Sequence, residues 1–340
     1  MLAVKVQLRE AEKVRKLLLN ERVMDFDYLV ESDRGFVYFP VKKECVPSSF
    51  PKTLVLMNKR FRMNPKKREL KDVLSAELAK KEITLLNRSY DVVGSIAILD
   101  IPEELKGKEK IIAQVLMSLN KNIKTVLNKS GIHEGEFRTQ KLRYISGIKT
   151  KETLHKENDV LVKLDVERVY FSPRLSTERK RIAGLVKPGE RVLVMFSGCG
   201  PYPLVISRNA KARKIIGIEK NRLAHEYALK SLALNKIKNV RFILGDVRKA
   251  IPRLRIKFDR IVMPLPKNAD SFLDTALRVA KKNTVVHIYL FLEKEGLEES
   301  KRRLRKICSK EGVRIKLLGL TKCGQYSPTT FRTCLDFQIV

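Results

Sequence analysis

Residues 191–208, RVLVMFSGCGPYPLVISR, decide the fold of this chain. They begin with an unbroken apolar run, residues 192–196, which is typical of a strand buried on both faces of a sheet. A turn that contains Gly198 and Gly200 follows, and Pro201 opens a second apolar run at a position that suits the first turn of a helix. A strand, a Gly-x-Gly turn and a helix predict the cofactor-binding half of an open α/β sheet, although a tight turn without a ligand would look the same.

Each of the next two predicted strands ends at an acidic residue. Residues 214–218 form an apolar strand that ends at Glu219, 19 positions after Gly200, and Asp246 follows the strand at 240–244. An acid after the second strand can accept hydrogen bonds from both ribose hydroxyls of an adenosine. The residues that this sheet edge is predicted to offer to a cofactor are Phe196, Gly198, Gly200, Glu219, Lys220, Asp246 and Val247.

The glycine turn favours S-adenosylmethionine over a dinucleotide. Dinucleotide binders need a third glycine, so that a helix N-terminus can approach the pyrophosphate. Tyr202 and Pro203 stand in that neighbourhood here. S-Adenosylmethionine carries adenine and ribose but no phosphate, so close backbone approach and two acids suffice for it. A nicotinamide dehydrogenase is therefore a distant alternative.

The charge of the chain predicts a polyanionic partner. Its 340 residues include 71 Lys and Arg against 38 Asp and Glu, a formal net charge of +33. Such an excess of positive charge is self-repulsive unless a polyanion is near, which indicates a nucleic-acid partner. A lysine-rich protein with solvated basic faces would share this composition. No apolar run reaches transmembrane length and no signal peptide opens the chain, so we expect a cytoplasmic protein without a membrane partner.

Cysteine and histidine give no sign of a disulfide framework or a metal site. The five cysteines are odd in number, scattered and never spaced as C-x-x-C, as expected for reduced cytosolic thiols. The four histidines are dispersed as well. We therefore expect no metal in the site.

Three α/β regions are predicted, at residues 1–62, 67–167 and 168–340. Residues 321–332 are predicted to join the last two strands, and within them 325–328 could contact RNA or form a plain hairpin connection. Parallel strands closed by an antiparallel hairpin predict a class I, Rossmann-like methyltransferase domain. Outside the cofactor half, the predicted strands and helices lie at 4–6, 9–19, 35–41, 70–78, 89–99, 109–119, 160–166, 259–263, 271–280, 284–291, 297–311, 313–318 and 333–340.

Five blocks of sequence carry a resemblance to a known family. They are Phe137-Arg138, HKEN at 155–158, YFSPRLSTER at 170–179, GCGP at 198–201 and PLPK at 264–267. With these blocks in this order, the chain resembles the tRNA (guanine-37-N1)-methyltransferases of archaea and eukaryotes from about residue 90 onward. The resemblance implies an N-terminal domain that docks on the outer corner of tRNA, a middle domain that binds RNA, and a methyltransferase domain that acts next to the anticodon. We expect a monomer that uses S-adenosylmethionine and binds the anticodon stem-loop.

Two positions depart from the family pattern. Val194 stands where the family usually has an Asp near the end of the first strand, and Pro264 stands where it usually has an Asn after the fourth. An Asn could hold the base or the methionine moiety, whereas proline has no donor. Such departures, with the run Pro201-Tyr202-Pro203, resemble the wyosine-pathway branch. That branch methylates N1 of guanosine 37, and some members also methylate C7 of the tricyclic 4-demethylwyosine made from it.

The chemistry needs a base and a positive charge. Guanine N1 carries a proton and is a poor nucleophile, so attack on a sulfonium methyl requires removal of that proton and stabilisation of the charge that grows on O6. The resemblance gives the first role to Glu178 and the second to Arg138. From the residues alone, Glu178 is equally typical of a first-turn helix acid after Ser176-Thr177, and Arg138 of a phosphate contact.

Four further residues complete the predicted site. Arg174 could orient Glu178 or bind a phosphate, and Tyr170 could stack on an extruded base or simply pack. Arg179 could contact the carboxylate of the cofactor or lie on a solvated face, and Pro264 joins the predicted cofactor set. The rival to an enzyme is a non-catalytic RNA-binding protein that retains a decayed methyltransferase fold, a hypothesis motivated by Val194 and Pro264.

Overall fold

The computed structural model describes residues 1–21, 23–42, 54–62, 70–75, 77–87, 89–132, 134–265, 267–293, 296–327 and 329–340. They form two compact units, Met1–Thr84 and Leu85–Val340. The predicted junction between the first two regions, residues 63–66, lies outside the described residues, and the division into three regions stays a prediction. None of the helices described has the length and apolarity needed to cross a bilayer.

The first unit is a small sheet with a helix packed on it. Its elements are β1 Leu2–Gln7, α1 Ala11–Asn20, β2 Glu31–Asp33, β3 Phe36–Pro40, β4 Val55–Asn58, α2 Leu70–Leu74 and, at the boundary, α3 Lys80–Leu85. The antiparallel strands lie in the order β2-β3-β1-β4. Val14 and Leu18, one turn apart in α1, are buried against Val4 and Phe39 of the sheet, as the helical and alternating apolar patterns predict.

Two small sheets open the second unit. The elements are β5 Asp91–Val93, β6 Ile96–Leu99, α4 Glu109–Leu119, β7 Thr125–Lys129, β8 Leu142–Gly147, β9 Glu152–Glu157 and β10 Val160–Asp165. The first sheet has the order β5-β6-β7-β8, and β9 pairs with β10 as a hairpin. The predicted strand pair at 89–99 and the helix at 109–119 are confirmed.

A seven-stranded sheet forms the core of the second unit. Its strands are β11 Arg191–Met195, β12 Lys214–Glu219, β13 Val240–Leu244, β14 Arg260–Met263, β15 Val285–Glu293, β16 Ile315–Gln325 and β17 Thr330–Ile339. The order is β13-β12-β11-β14-β15-β17-β16, in which the first five are parallel and β17 is antiparallel to both of its neighbours. The predicted class I methyltransferase architecture is confirmed.

Helices cover both faces of this sheet because the parallel strands are apolar on both sides. The helices are α5 Ser176–Leu185, α6 Pro201–Asn209, α7 Arg222–Leu234, α8 Val247–Ala250, α9 Leu273–Leu277 and α10 Leu297–Lys310. Val192 and Val194 are buried on one face with residues of α5, α6 and α7, and Leu193 and Met195 on the other with residues of α9 and α10.

Three predicted elements have different bounds in the structure. The connection expected at 321–332 is largely strand, because β16 and β17 continue as a ladder through irregularities at Leu317/Gly319 and Lys322/Gly324. Glycines at such irregularities break the alternating pattern that marks a strand in sequence. The helix predicted over 271–280 is a 3₁₀ turn, Ala269–Phe272, followed by the short α9, and the helix predicted over 70–78 ends at Leu74. Pro328 lies outside the described residues.

Gly200 gives a direct test of the turn that follows β11. Its φ is +87°, and a Cβ added there would lie 2.6 Å from the Phe242 ring. We expect Gly200→Ala to lower the free energy of unfolding by about 2–4 kcal/mol, from left-handed backbone strain and overpacking. Gly184→Ala is the control, because that site is exposed in α5 and the added Cβ would meet no atom within 4 Å apart from those of adjacent residues and the helix backbone. It should stabilise the helix by about 0.5–1 kcal/mol. Urea unfolding measures both, and equal effects would contradict the role of the turn.

Candidate active site

A cavity of about 400 Å³ lies at the carboxyl ends of β11, β12 and β13. The sequence predicts this place, because the carboxyl ends of parallel strands meet at one sheet edge. Nine of the predicted site residues line the cavity: Arg138, Tyr170, Phe196, Gly198, Glu219, Lys220, Asp246, Val247 and Pro264. Gly200, Glu178, Arg174 and Arg179 are not among the residues that line it.

Glu219 holds the glycine turn in place from the end of β12. Its two carboxylate oxygens accept hydrogen bonds from the backbone N–H groups of Gly198 and Asn221, each at 2.7 Å. Burial raises the pKa of this carboxyl above the ordinary value. The carboxylate is therefore rigidly oriented while it borders the cavity, as an acceptor for ribose hydroxyls needs to be. Gly200 does not line the cavity. It is the residue in the left-handed conformation from which α6 begins.

Lys220 joins two walls of the cavity by charge. Its Nζ lies 2.6 Å from Glu136 and 3.5 Å from Asp246. Asp246 also caps α8, since its side chain accepts from the Arg248 N–H at 2.8 Å. The turn that contains Glu136 is thus connected to the cofactor side of the cavity.

Aromatic rings form a further wall. Phe196, the residue after β11, has a φ of +55°, an uncommon conformation for a bulky residue. Its ring meets Phe272 edge to face at 4.9 Å, and the Arg248 guanidinium lies 4.1 Å from the Phe272 ring. Strained backbone that the surroundings hold in place is common at ligand sites. Pro264, after β14, lines the cavity as well, where it offers no N–H donor.

Arg138 lines the cavity among aromatic residues. Its φ is +52°, and its guanidinium lies 5.0 Å from the Tyr170 ring and 5.8 Å from the Phe291 ring. The Tyr170 hydroxyl accepts a hydrogen bond from Arg332 at 2.9 Å. This group, Arg138, Tyr170, Phe291 and Arg332, is called the arginine–aromatic cluster below. A planar base could stack here beside a positive charge.

Glu178 is buried, with 5% of the residue exposed. Its carboxylate accepts two hydrogen bonds from Arg181, at 2.7 and 2.8 Å, and one from the Tyr289 hydroxyl at 2.5 Å. Burial raises the pKa of Tyr289 well above its usual value, so the phenol keeps its proton and remains a donor. Tyr289 and Phe291 are two residues apart in β15, so their side chains leave the same face of the strand. Glu178 is therefore hydrogen-bonded to Tyr289, which is the neighbour on that face of Phe291, a member of the arginine–aromatic cluster.

Arg179 and Arg174 point to other partners. Arg179 is 1% exposed and pairs bidentately with Glu157 of the HKEN block, both contacts at 2.5 Å. A solvated position is wrong for Arg179, because the pair joins α5 to β9 inside the protein. Arg174 donates to Asp91 at 2.7 Å on the surface. The predicted cofactor contact of Arg179 and the predicted orienting role of Arg174 stay predictions.

One buried cluster, His287, Cys334 and Asp336, has the residue types of a metal site. Two arginines already supply its positive charge. Arg181 lies 2.8 Å from Asp336, and Arg260 donates to Nε2 of His287 at 2.7 Å, which leaves the Nδ1–H to donate to Asp336. Burial lowers the pKa of His287, so it is neutral. The cluster is explained as an anchor between β15, β17 and α5.

The sequence missed several residues around the cavity. Lys267, Asn268 and Phe272 line it, from the segment after β14. Phe291 of β15, in a region expected to be a plain strand, lies next to Arg138, and Arg332 of β17, in a region expected to be a loop, contacts Phe291 and Tyr170. The PLPK block marks the first group in sequence, whereas nothing local marks the second.

Three family models match the chain. The TRM5/TYW2 methyltransferase domain matches residues 153–316, the TYW2 N-terminal domain matches 70–150, and the tRNA methyltransferase 5 N-terminal domain matches 3–49. Among curated proteins, the tRNA (guanine(37)-N(1))-methyltransferase Trm5b of Pyrococcus abyssi is 37% identical over 339 residues, 99% of each chain. The tRNA (guanine(37)-N(1))/4-demethylwyosine(37)-methyltransferase Taw22 of Nanoarchaeum equitans is 34% identical over 273 residues, 65% of this chain and 90% of that one.

Solved structures match as well. A complex of aTrm5 with tRNALeu is 30% identical, with a TM-score of 0.71 over 100% of both chains. The TYW2 of Methanocaldococcus jannaschii in complex with AdoMet is 25% identical, with a TM-score of 0.57 over 74% of this chain and 100% of that one.

Proposed function

The chain belongs to the TRM5/TYW2 methyltransferase family, and we propose that it transfers a methyl group from S-adenosylmethionine to N1 of guanosine 37 in tRNA. The observation that carries the proposal is the two-sided cavity. All of the following residues line one cavity: we call Gly198, Glu219 and Asp246 its first side, and Arg138 with Tyr170 its second side. The net charge of +33 supports a tRNA partner, and a tRNA-modifying role is consistent with a cytoplasmic enzyme.

The residues of the first side fit S-adenosylmethionine. Glu219 is a buried, oriented carboxylate that can accept from ribose hydroxyls, and the turn at Gly198 lets the backbone approach closely. Phe196 and Val247 offer apolar contact for adenine. The cofactor supplies an electrophilic methyl group on a sulfonium sulfur.

The residues of the second side suit a guanine taken out of the anticodon loop. N1 of guanine forms the new bond to the methyl carbon as the S–CH₃ bond breaks, and the N1 proton must leave. We propose that Arg138 stabilises the negative charge on O6 and that Tyr170 stacks on the base. We assign the N1 proton to Glu178. Because Glu178 does not line the cavity, its side chain must turn toward the base and release at least one of its three hydrogen bonds to accept the proton.

A second substrate, 4-demethylwyosine at the same position, is a candidate because Taw22 carries that activity in its name. Pro264 supports it, since an apolar rim discriminates less against a larger tricyclic base than a hydrogen-bonding Asn would. The rival of a decayed, non-catalytic fold is not favoured, because nine predicted site residues still meet at one cavity.

One assay tests the proposal. Labelled S-adenosylmethionine is incubated with unmodified tRNA transcript, and nucleosides are analysed. We expect 1-methylguanosine at position 37, and its absence would refute the function. The same assay with tRNA that carries 4-demethylwyosine separates one activity from two, and calorimetry that detects no cofactor binding at millimolar concentration would favour the rival.

Replacing Glu219 tests the cofactor side separately. We expect Glu219→Ala to weaken S-adenosylmethionine binding by about 10- to 100-fold, from the loss of hydrogen bonds to a charged acceptor. Because burial raises the pKa of Glu219, the carboxylate is protonated earlier on acidification than an ordinary glutamate, and affinity should fall as pH decreases through that pKa. Calorimetry measures both effects. Glu226→Ala, exposed on α7, is the control, and equal affinities for the two variants would contradict the assignment.

A further inference from the structure

Tyr326, which follows β16, presents an exposed aromatic side chain next to the arginine–aromatic cluster. Tyr326 is 61% exposed, although its ring stacks on Phe291 at 4.2 Å and 35°. The position of Tyr326 is fixed by its backbone, since its N–H and that of Ser327 both donate to the Thr330 carbonyl, at 2.9 and 3.1 Å. A large ring held rigidly in solvent contributes little to a core, which indicates a binding surface.

The ring of Tyr326 continues the arginine–aromatic cluster outward. The Arg332 guanidinium lies 5.6 Å from the Phe291 ring, and Arg138 lies 5.8 Å from the same ring. Arg138, Arg332 and Tyr326 therefore all lie next to the Phe291 ring, and this group runs from a residue that lines the cavity, Arg138, to the exposed ring of Tyr326. Stacking and cation–π attraction stabilise these contacts.

The occupant of that face follows from its position and charge. When guanosine 37 enters the cavity beside Arg138, its neighbours in the strand are covalently held within one nucleotide of the cluster, and they have lost a stacking partner. The cluster is cationic, and aromatic faces next to cations bind unpaired bases with little sequence preference. A protein partner would not explain the continuity with the cavity.

We propose that Tyr326 receives the base of one nucleotide that flanks guanosine 37, so that the base lost from the stack in RNA is replaced by Tyr326. This inference rests on the proposed function, because it takes guanosine 37 as the base in the cavity. It adds an RNA-binding subsite formed by Tyr326 and Phe291, and it makes Tyr326 a residue for substrate affinity and not for the chemical step.

The test is a coupling experiment on tRNA affinity. Tyr326→Ala should raise the Kd for tRNA about 10-fold, whereas Tyr326→Phe, which keeps the ring, should stay within about 2-fold of the wild type. Two tRNAs are compared, one abasic at position 36 and one abasic at position 38. For one of these two, the wild-type protein should bind with a Kd about 10-fold higher than for intact tRNA. For that position, Tyr326→Ala with abasic tRNA should again show about 10-fold, not about 100-fold, because both changes remove the same contact.

Controls keep the outcomes separate. Leu318→Ala changes an exposed apolar residue of β16 and should leave the Kd within about 2-fold. The subsite would be overturned if Tyr326→Ala bound tRNA with wild-type affinity. It would also be overturned if, at both positions, the variant and the abasic tRNA together raised the Kd about 100-fold. The Kd is measured without turnover, so the two proposals can fail separately. Absence of methyl transfer in the parallel assay refutes the proposed function, whereas the subsite is judged from the Kd values alone.

Discussion

Glu178→Gln is expected to lower the single-turnover rate of methyl transfer by about 10²- to 10⁴-fold, the range for loss of a general base. Glutamine keeps the shape, and its single oxygen can still accept from Tyr289 and one N–H of Arg181, but it cannot take the N1 proton. The Kd values for tRNA and for S-adenosylmethionine should change by less than about 3-fold, because Glu178 does not line the cavity. Rapid-quench measurement with excess enzyme gives the rate.

Two further variants distinguish a base from an anchor. Glu167→Gln removes a carboxylate that pairs with Lys151 away from the cavity and should leave the rate unchanged. Tyr289→Phe removes one donor from Glu178 but leaves the carboxylate in place, so it should retain far more of the rate than Glu178→Gln. If Glu178→Gln transfers methyl at the wild-type rate, Glu178 only anchors α5 to the sheet.

Arg138→Ala is expected to reduce the rate by about 10²- to 10³-fold, which is typical for loss of one donor to a developing oxyanion. Arg138→Lys keeps a charge but not the planar guanidinium that packs against Tyr170, so it should restore only part of the rate. Single-turnover rates at saturating tRNA separate this effect from binding.

The competing interpretation of Arg138 is a phosphate contact. In that case Arg138→Ala would weaken tRNA binding and flatten its salt dependence, while the rate at saturation would be unchanged. Arg213→Ala, an exposed arginine before β12 at the other sheet edge, serves as the control. An unchanged saturated rate for Arg138→Ala therefore rejects the O6 assignment.

The cofactor side of the cavity could be predicted from sequence because its signals are local. An apolar run predicts a buried strand, and the residue that follows the run lies at the carboxyl edge of a parallel sheet. Glu219 and Asp246 each follow such a run, so the local sequence was enough to predict that both lie at the same edge of the sheet. The sheet order then follows from the usual pattern of this architecture.

The catalytic side could be predicted only in part because its contacts join distant residues. Glu178 meets Tyr289, 111 positions later, and nothing near Glu178 in sequence predicts that its carboxylate is buried and already hydrogen-bonded. Arg332 donates to Tyr170, which lies 162 positions earlier in the chain. Arg332 belongs to β17, and its pairing with β16 is interrupted at glycines, so the sequence did not predict a strand there. The resemblance identified these blocks, but their pairing depends on tertiary packing.

The buried pair of Arg179 and Glu157 limits how the protein can be dissected. A fragment that starts at residue 168 would leave the Arg179 guanidinium inside the protein without its carboxylate, a loss of about 3–5 kcal/mol. It would also expose the face of α7 where Asn235 and Ser231 bond the backbone of β10. A minimal catalytic fragment should therefore begin near residue 85, so that the hairpin that carries Glu157 is expressed together with the sheet it supports.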